Sequence, residues 1–242
     1  MIILLRKRHV AYVLLACCFF AGLAAVLWHG SAAHVASFGP DGLTEDLTVV
    51  VDAGHGGEDG GAVAADGTAE SGLNLSIARR VRDLLTFTGV PTAVTREGEG
   101  AIYDPGSATL REKKVSDLHN RADLVNAIPG AVLLSIHQNS LPSSPATRGA
   151  QTFWNGQAEA KELAESVQAA LNAAVNGEHE KQAAQVPSSV YLMKSVEAPA
   201  VLVECGFLSN PEETALLKEP AHQTRLAAAI TAGLIFQIGV RR

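Results

Sequence analysis

Short apolar runs alternate along this chain with segments in which apolar residues recur every three or four positions. The short runs are typical of buried strands, and the longer spacing is typical of helices with one face in a core. The predicted strands cover residues 47–51, 92–95, 131–136, 150–154 and 200–204. The predicted helices cover residues 73–86, 117–127, 159–174, 211–217 and 223–238. This alternation predicts a single α/β domain with a central, mostly parallel sheet flanked by helices.

The N-terminus has a different pattern, because a basic cluster at residues 6–8 precedes an apolar run over residues 10–28. At ~1.5 Å per residue, this run would span a hydrocarbon core of roughly 30 Å. The positive flank is expected to stay inside, which places the rest of the chain outside the cytoplasm. The length of the run favours a signal anchor, whereas Ser-Ala-Ala at residues 31–33 fits a cleaved signal peptide. A lipoprotein signal at Cys17 is the weaker alternative, since few apolar residues would separate it from the basic cluster.

These patterns divide the chain into three segments. Residues 1–33 are predicted to be an N-terminal transmembrane helix or signal peptide, which would bring the protein to the membrane. Residues 34–46 contain the turn sequence Gly-Pro-Asp-Gly and are predicted to be a tether. Residues 47–242 form the predicted α/β domain.

Composition and charge narrow the classes of partner. The chain has 242 residues, of which 47% are hydrophobic and 18% charged, a mixture typical of globular proteins. The first 33 residues hold three basic groups and no acids, so the other 209 hold 16 basic and 25 acidic groups, a balance of −9. Nucleic-acid binding needs clustered Lys and Arg to neutralise phosphates, so this acidic body argues against a nucleic-acid partner. Outside the apolar run the only cysteine is Cys205, so the exported part has no disulfide of its own.

Polar side chains that are able to carry chemistry follow three of the predicted strands. Asp52 and His55 follow the first strand, His137 follows 131–136, and Glu204 ends 200–204. Ligands of parallel α/β sheets bind outside the carboxyl ends of the strands, so these side chains are expected to converge on one rim. The irregular stretches 97–116, 141–149 and 176–189 are expected to form the walls of a cleft.

The loop VVVDAGHGGEDGG at residues 49–61 raises two alternatives, a phosphate cradle and a metal site. Its glycines nearly form a dinucleotide fingerprint, but the third comes one position late and the next predicted helix lies further along the chain. Two acids in the loop would also repel a pyrophosphate, and no lysine follows as in a P-loop. The metal interpretation fits better, because Gly54 and Gly56 leave His55 free of neighbouring side chains.

Two further residues complete a set of metal ligands. Glu70 lies just before a predicted helix, where a carboxylate suits the positive end of the helix dipole. With His55 and His137 it makes two histidines and a carboxylate, the ligand set of a catalytic zinc ion that keeps a fourth position for water. Glu204 is placed to act as the base outside that set. Taken singly, Glu70 is also explained as an ordinary helix-end charge and His137 as a buried histidine.

Four motifs carry a family resemblance. They are DAGHGGEDGGA around His55, LNL shortly after Glu70, SIHQNS around His137 and VECGFLSNPEE around Glu204. In this order, and over residues 48 to 242, they resemble the zinc-dependent N-acetylmuramoyl-L-alanine amidases of the amidase 3 type. The resemblance implies one Zn²⁺ per chain, held by His55, Glu70 and His137, with Glu204 as the catalytic acid and base. It also implies hydrolysis of the amide bond between N-acetylmuramic acid and L-alanine, in glycan strands with stem peptides.

Three longer stretches are similar to the germination-specific amidases of sporulating bacteria: REKKVSDLHNRADLVN, GAQTFW and VYLMKSVEAPAVLVECGFLSNPEE. This resemblance implies a membrane-associated or secreted enzyme on the cell-wall side that prepares the spore cortex for muramic lactam formation. The chain departs from the family at Ser71 and Gly72, where a lysine or aspartate often follows the glutamate, and at Gln138, where alanine is common. These departures concern substrate contacts rather than the metal.

Two alternatives remain beside the amidase. One is another peptidoglycan zinc peptidase, and the other is a membrane-tethered wall-binding protein without catalysis. The sequence has no evident autoinhibitory helix and no wall-binding repeat, which leaves room for control by a regulatory protein partner.

Overall fold

A computed structural model of the protein describes residues 47–240 as an α/β domain. Its strands are β1 (Thr48–Ala53), β2 (Thr92–Val94), β3 (Ala131–Asn139), β4 (Gln151–Trp154), β5 (Ala184–Gln185) and β6 (Ala200–Phe207). Its helices are α1 (Glu70–Phe87), α2 (Leu110–Asn126), α3 (Ala160–Leu171), α4 (Tyr191–Ser195), α5 (Pro211–Lys218) and α6 (Pro220–Val240). A π-helical turn, Asn172–Asn176, continues α3.

The six strands form one sheet in the order β2-β1-β3-β6-β4-β5. The pairs β1–β2, β1–β3 and β3–β6 are parallel, whereas β4 runs antiparallel to β6 and carries β5 beside it in parallel. The predicted single domain with a mostly parallel sheet is confirmed. The order also places β1, β3 and β6 side by side, so the three strand ends with polar residues are neighbours.

Helices cover both faces of this sheet. Val49 and Val51 of β1 belong to a core shared with α1, α3 and α6, whereas Val50 points into a second core with residues of α2 and α4. Successive side chains of a strand point to opposite faces, so a strand buried on both faces has an unbroken apolar sequence. This explains why the first predicted strand appears in the sequence as an apolar run rather than as an alternation of apolar and polar residues.

The prediction is wrong at the start of α2, which begins at Leu110 rather than near residue 117. Thr109 accepts a hydrogen bond from the backbone of Glu112, and the Glu112 carboxylate accepts one from the backbone of Thr109, which makes a capping box. Residues 110–116 are therefore helical rather than part of an irregular wall. The signal was in the sequence, as a threonine followed three positions later by a glutamate, although the stretch has no apolar periodicity.

The predicted membrane or signal segment and the tether, residues 1–46, lie outside the described residues. Within the described part, no helix combines the length and the apolar character that crossing a bilayer requires.

Helices α3 and α6 approach each other closely at Gly233. A Cβ atom at this position would lie 2.6 Å from the Cα atom of Val167 and 2.8 Å from the carbonyl oxygen of Ser166. The Ser166 hydroxyl also donates a hydrogen bond of 2.7 Å to the carbonyl of Gly233. Only glycine allows the two backbones to come this near.

Gly233→Ala is expected to lower the free energy of unfolding by about 1–3 kcal/mol, because the new methyl group pushes two packed helix backbones apart. Gly239→Ala, in the same helix but with no heavy atom within 4 Å of the added Cβ, is the matched control. It is expected to be neutral or to stabilise by up to about 1 kcal/mol. Urea denaturation followed by circular dichroism measures both, and equal stability of the two variants would contradict the close-packing argument.

Candidate metal centre

The carboxyl ends of β1, β3 and β6 bring the predicted site residues together. His137 of β3 is the register partner of Glu204 of β6, and His55 follows the end of β1. Glu70 is the first residue of α1 and its carboxylate reaches the two histidines. One ligand atom from each of His55, Glu70 and His137 lies within 4.8 Å of the other two. The convergence expected from the sequence is therefore present.

Glu70 lies between the two imidazole rings. Its Oε2 is 3.3 Å from Nε2 of His55, and its Oε1 is 2.9 Å from Nδ1 of His137. Ligands around a tetrahedral zinc ion, at 2.0–2.2 Å from the metal, are roughly 3.4 Å from one another. The donor set therefore fits a zinc-sized cation, and the two spacings that involve Glu70 are close to this value.

The electrostatics of this cluster favour positive charge. Burial alone would lower the pKa of His55, but Glu70 and Asp59 outweigh it and raise that pKa to about 9. Burial alone would raise the pKa of Glu70, but the hydrogen bonds and charges of His137 and His55 hold it well below its usual range. A field that retains a proton on His55 also attracts a metal cation, which would displace that proton on binding.

Asp59 orients His55 from the same loop. Its Oδ2 is 2.9 Å from Nδ1 of His55, which leaves Nε2 to face Glu70. Backbone hydrogen bonds in both directions between Gly56 and Asp59 fold the loop back on itself. A carboxylate on the far nitrogen of a histidine ligand fixes its tautomer and ring orientation. The sequence analysis had treated Asp59 only as a charge that repels phosphate.

The glycines of the loop clear space, but not only around His55 as expected. A Cβ atom at Gly54 would lie 2.1 Å from Nε2 of His137. A Cβ atom at Gly61 would lie 2.5 Å from Oε2 of Glu70 and 2.7 Å from Cδ2 of His55. Each glycine therefore makes room for one or two of the candidate ligands.

Arg121 is a structural anchor of the loop. Its side chain is buried and donates to Asp52 Oδ1 at 2.5 Å, to the carbonyl of Ala53 at 2.8 Å and to the carbonyl of His55 at 2.7 Å. Its Nε donates to Asp117 at 2.8 Å. His55 has a positive φ of 62°, a conformation that is costly for a residue with a side chain. Arg121 holds this strained backbone through the carbonyl group.

Asp52 is the buried partner of that arginine. Burial would raise its pKa, but the charge of Arg121 and the hydroxyls of Ser135 and Thr95 lower it to about 2. Asp52 therefore acts on His55 through Arg121, which donates both to Asp52 and to the carbonyl of His55.

A second buried arginine, Arg96, was missed by the sequence analysis. It donates to the carbonyls of Ala53 at 2.8 Å, Gly54 at 3.1 Å and Ser71 at 2.9 Å. It therefore ties the end of β1 to the first turn of α1, where Glu70 lies. One basic residue after a short strand gives no sequence signal for this role.

Two amides support Glu70 from behind. Asn74 donates to Oε1 of Glu70 and to the carbonyl of Gly54, each at 3.1 Å. Gln138 is buried and donates from its side chain to Asn74 at 3.2 Å, while its backbone donates to Glu70 at 3.1 Å. The departure from the family at Gln138 therefore concerns the support of a candidate ligand rather than a substrate contact.

Glu204 differs from Glu70 in having too few partners. Its Oε2 is buried and has no hydrogen-bond partner among residues 47–240. Burial raises its pKa to about 7, with the charge of Glu70 acting in the same direction and the histidines opposing it. A buried polar atom without a partner is costly, so a water molecule between Glu204 and a bound cation would satisfy it. Cys205 lies in the core on the opposite face of the strand.

One cavity adjoins the cluster. It has a volume of about 260 Å³ and is lined by His55 and His137 together with Lys114 and residues of α4. Of the three predicted walls, 97–116 reaches it through Lys114, which lies in α2 rather than in an irregular stretch. Residues 190–193 line it in place of 176–189. The stretch 141–149 contributes instead to a groove of about 400 Å³ that includes Pro142 and Pro145 and none of the four site residues.

Comparison with known proteins gives consistent results. The family model described as N-acetylmuramoyl-L-alanine amidase matches residues 49–235. The germination-specific N-acetylmuramoyl-L-alanine amidase of Bacillus subtilis is 37% identical over 188 residues, which cover 77% of this chain and 78% of that protein.

Two solved structures have the same fold. The CwlD amidase from Clostridioides difficile, in complex with the GerS lipoprotein, has a TM-score of 0.77 at 34% identity, covering 80% of this chain and 99% of that one. An N-acetylmuramoyl-L-alanine amidase from Clostridium difficile 630 has a TM-score of 0.68 at 28% identity, covering 80% and 97% of the two chains.

Gly54→Ala is expected to weaken Zn²⁺ binding by about 10–100-fold, because its methyl group displaces His137 from the cluster. Gly72→Ala, near the start of α1 with no heavy atom within 4 Å of the added Cβ, is the control and is expected to bind as the wild type does. Calorimetric titration of the metal-free proteins with Zn²⁺ measures both. Unchanged affinity in Gly54→Ala would contradict the ligand role of His137.

Asp52→Ala is expected to lower the free energy of unfolding by about 3–5 kcal/mol at neutral pH, because it leaves the charge of Arg121 buried without its partner. Asp83→Ala is the control, since Asp83 pairs with Arg82 on the surface and its side chain is 65% exposed. Its effect is expected to stay within about 1 kcal/mol.

The pH dependence gives a second measurement. The pKa of Asp52 is lower in the folded chain than in the unfolded chain, so its stabilisation is complete above about pH 4 and is lost as the pH falls through about 2. The stability difference between wild type and Asp52→Ala, from urea denaturation, should therefore shrink over that window. A difference that is independent of pH would contradict the assignment.

Proposed function

This chain belongs to the N-acetylmuramoyl-L-alanine amidase family that acts on peptidoglycan, and on that premise we propose how its residues perform the reaction. In this proposal His55, Glu70 and His137 hold one Zn²⁺ ion, and Glu204 is the general base and acid. The bond cleaved is the amide between the lactyl group of N-acetylmuramic acid and L-alanine of the stem peptide. The wall of the developing spore cortex is the proposed substrate.

The observation that carries this proposal is the contrast between two neighbouring carboxylates. Glu70 accepts hydrogen bonds from the backbone of Ala62 and from Asn74, and two histidines hold it ionised. Glu204 has a buried oxygen with no partner and a pKa raised to about 7. An ionised carboxylate suits a metal ligand, whereas a carboxylate that gains and loses a proton near neutral pH suits acid–base catalysis.

A Zn²⁺ ion held there would supply Lewis acidity, which polarises the scissile carbonyl and makes the attacking water more acidic. Glu204 accepts the proton from that water on its free oxygen as the oxygen of water bonds to the carbonyl carbon. Glu204 then delivers the proton to the departing nitrogen as the carbon–nitrogen bond breaks. The products are a lactyl carboxylic acid, which then ionises to the carboxylate, and a peptide with a free L-alanine amine, and Glu204 is again ionised.

The position of His55 does not depend on the substrate. Asp59 holds the ring of His55, and Arg121 holds its backbone. Prior fixing of the groups that hold the reacting centre lowers the barrier, because no reorganisation is needed during the reaction.

The proposed location is the outer side of the cell membrane, reached through residues 1–33 as a signal anchor or signal peptide. Support comes from the basic cluster before the apolar run in the sequence and from the substrate of the family, peptidoglycan, which lies outside the cell membrane. The similarity to a germination-specific amidase supports the spore cortex as the substrate, and in this proposal peptide removal there precedes muramic lactam formation. The similarity to an amidase solved with a lipoprotein supports a regulatory protein partner for this chain.

Glu204→Gln is expected to lower the rate of peptidoglycan hydrolysis by about 10²–10⁴-fold while the zinc content stays unchanged, because the variant cannot carry the proton. Glu212→Gln, an exposed glutamate at the start of α5, is the control and is expected to be fully active. Purified peptidoglycan is digested with each variant and with chelator-treated wild type, and the released stem peptides are analysed by mass spectrometry.

The products also separate the alternatives. New L-alanine amines on released stem peptides are expected for the amidase, whereas free D-amino acids would identify another zinc peptidase of the wall. Binding of insoluble wall without any release, by wild type and variant alike, would identify a wall-binding protein. Hydrolysis that survives both chelation and Glu204→Gln would overturn the mechanism.

A further inference from the structure

The cavity of about 260 Å³ beside His55 and His137 has a chemistry that the metal centre does not explain. Its lining includes Lys114 and the apolar start of α4. We propose that this cavity binds the peptide side of the substrate and that Lys114 recognises a free carboxylate of the stem peptide. The inference rests on the proposed amidase function and adds a specificity residue to it.

Lys114 is the available cation of this cavity. The other cation that lines it, Arg121, is buried and directs its donors to Asp52, Asp117 and backbone carbonyls. Lys114 has a side chain that is 45% exposed, and its partner in the described part of the chain is Asp59, at 2.8 Å. An ammonium group has three hydrogen-bond donors, so this contact leaves donors for a ligand.

The position of Lys114 relative to the metal cluster suits a residue near the scissile bond. Asp59 lies between them, with one oxygen on Lys114 and the other 2.9 Å from Nδ1 of His55. One carboxylate and one imidazole ring therefore separate the ammonium group from Nε2 of His55. That separation corresponds to at most about three residues of extended peptide, at roughly 3.3–3.6 Å per residue.

The rest of the lining favours peptide over sugar. The lining also has an apolar part, formed by Leu118, Val190, Leu192 and Met193. A glycan strand is neutral and rich in hydroxyl groups, whereas a stem peptide offers small apolar side chains and carboxylates. The volume is slightly below the roughly 300–1,000 Å³ that is usual for small-molecule sites, which suits a short part of a long substrate.

The neighbouring lysine provides the matched control. Lys113 forms an ion pair with Glu58 on the surface, and its ammonium group lies 5.0 Å from the centre of the Tyr103 ring. It does not line the cavity of Lys114. Both residues are lysines of α2. The difference that the test uses is that Lys114 lines the cavity and Lys113 does not.

Lys114 contacts Asp59, which in turn orients His55. A substitution of Lys114 therefore acts on two things, the ligand contact and the position of His55. The experiment therefore uses two synthetic N-acetylmuramoyl peptides that differ in one group: a stem-peptide carboxylate near the scissile amide is free in the first and amidated in the second. A loss of His55 positioning would slow both substrates equally. A lost contact to the carboxylate would slow only the first.

Lys114→Gln is expected to lower kcat/KM by about tenfold or more for the free carboxylate, as for other hydrogen bonds to charged groups, and to leave the amidated substrate nearly unchanged. Lys114→Arg should retain much of the preference for the free carboxylate, and Lys113→Gln should match wild type on both substrates. Zinc content is measured for every protein to compare the state of the metal site.

Equal losses on both substrates in Lys114→Gln, with or without loss of zinc, would overturn the carboxylate contact and leave the amidase proposal intact. No loss on either substrate would also overturn it. A wild type that hydrolyses neither peptide, and no peptidoglycan, would count against the proposed function and against this subsite together. A selective loss on the free carboxylate supports the assignment.

Discussion

The candidate site depends on a buried ion pair, Asp52 with Arg121, at the end of the first strand. The pair is out of contact with solvent, and such a pair stabilises a fold only when every remaining donor and acceptor is satisfied. Here the hydroxyls of Ser135 and Thr95 donate hydrogen bonds to Asp52. Arg121 donates its further hydrogen bonds to the carbonyls of Ala53 and His55. The pair therefore fixes the left-handed backbone of His55, and with it the direction of the first candidate ligand.

The two glutamates of the site show how environment separates the roles of identical side chains. Glu70 has donors on both oxygens, from Asn74, Ala62 and the two histidines, so it stays ionised. Glu204 has an oxygen without any donor, and burial brings its pKa to about 7. The first environment suits a ligand that binds a cation permanently, and the second suits a group that exchanges a proton. Lys114 and the apolar start of α4 add a third environment, next to the other two, that suits a charged peptide.

Several parts of the fold and site could be predicted because local sequence carries a physical signal for them. Apolar runs identified the central strands, and polar residues at the ends of three strands predicted convergence on one rim, since parallel strands end on the same side. The start of α2 was missed because its capping box lies outside the apolar periodicity. Asp59 was misjudged because its partner, His55, is reached only after the loop folds back on itself.

The sequence by itself determined the chemical types available at the rim and their order along the chain: two histidines, two glutamates and the glycines around them. It did so because strand periodicity and glycine conformation are local properties. Only the tertiary structure decided which glutamate is held ionised, what Arg96, Arg121 and Gln138 support, and which of two adjacent lysines faces the cavity. Those outcomes follow from burial and from partners that are distant in sequence, such as Asp52 and Arg121, which are 69 positions apart. Hydrophobic pattern and residue spacing carry no record of such contacts.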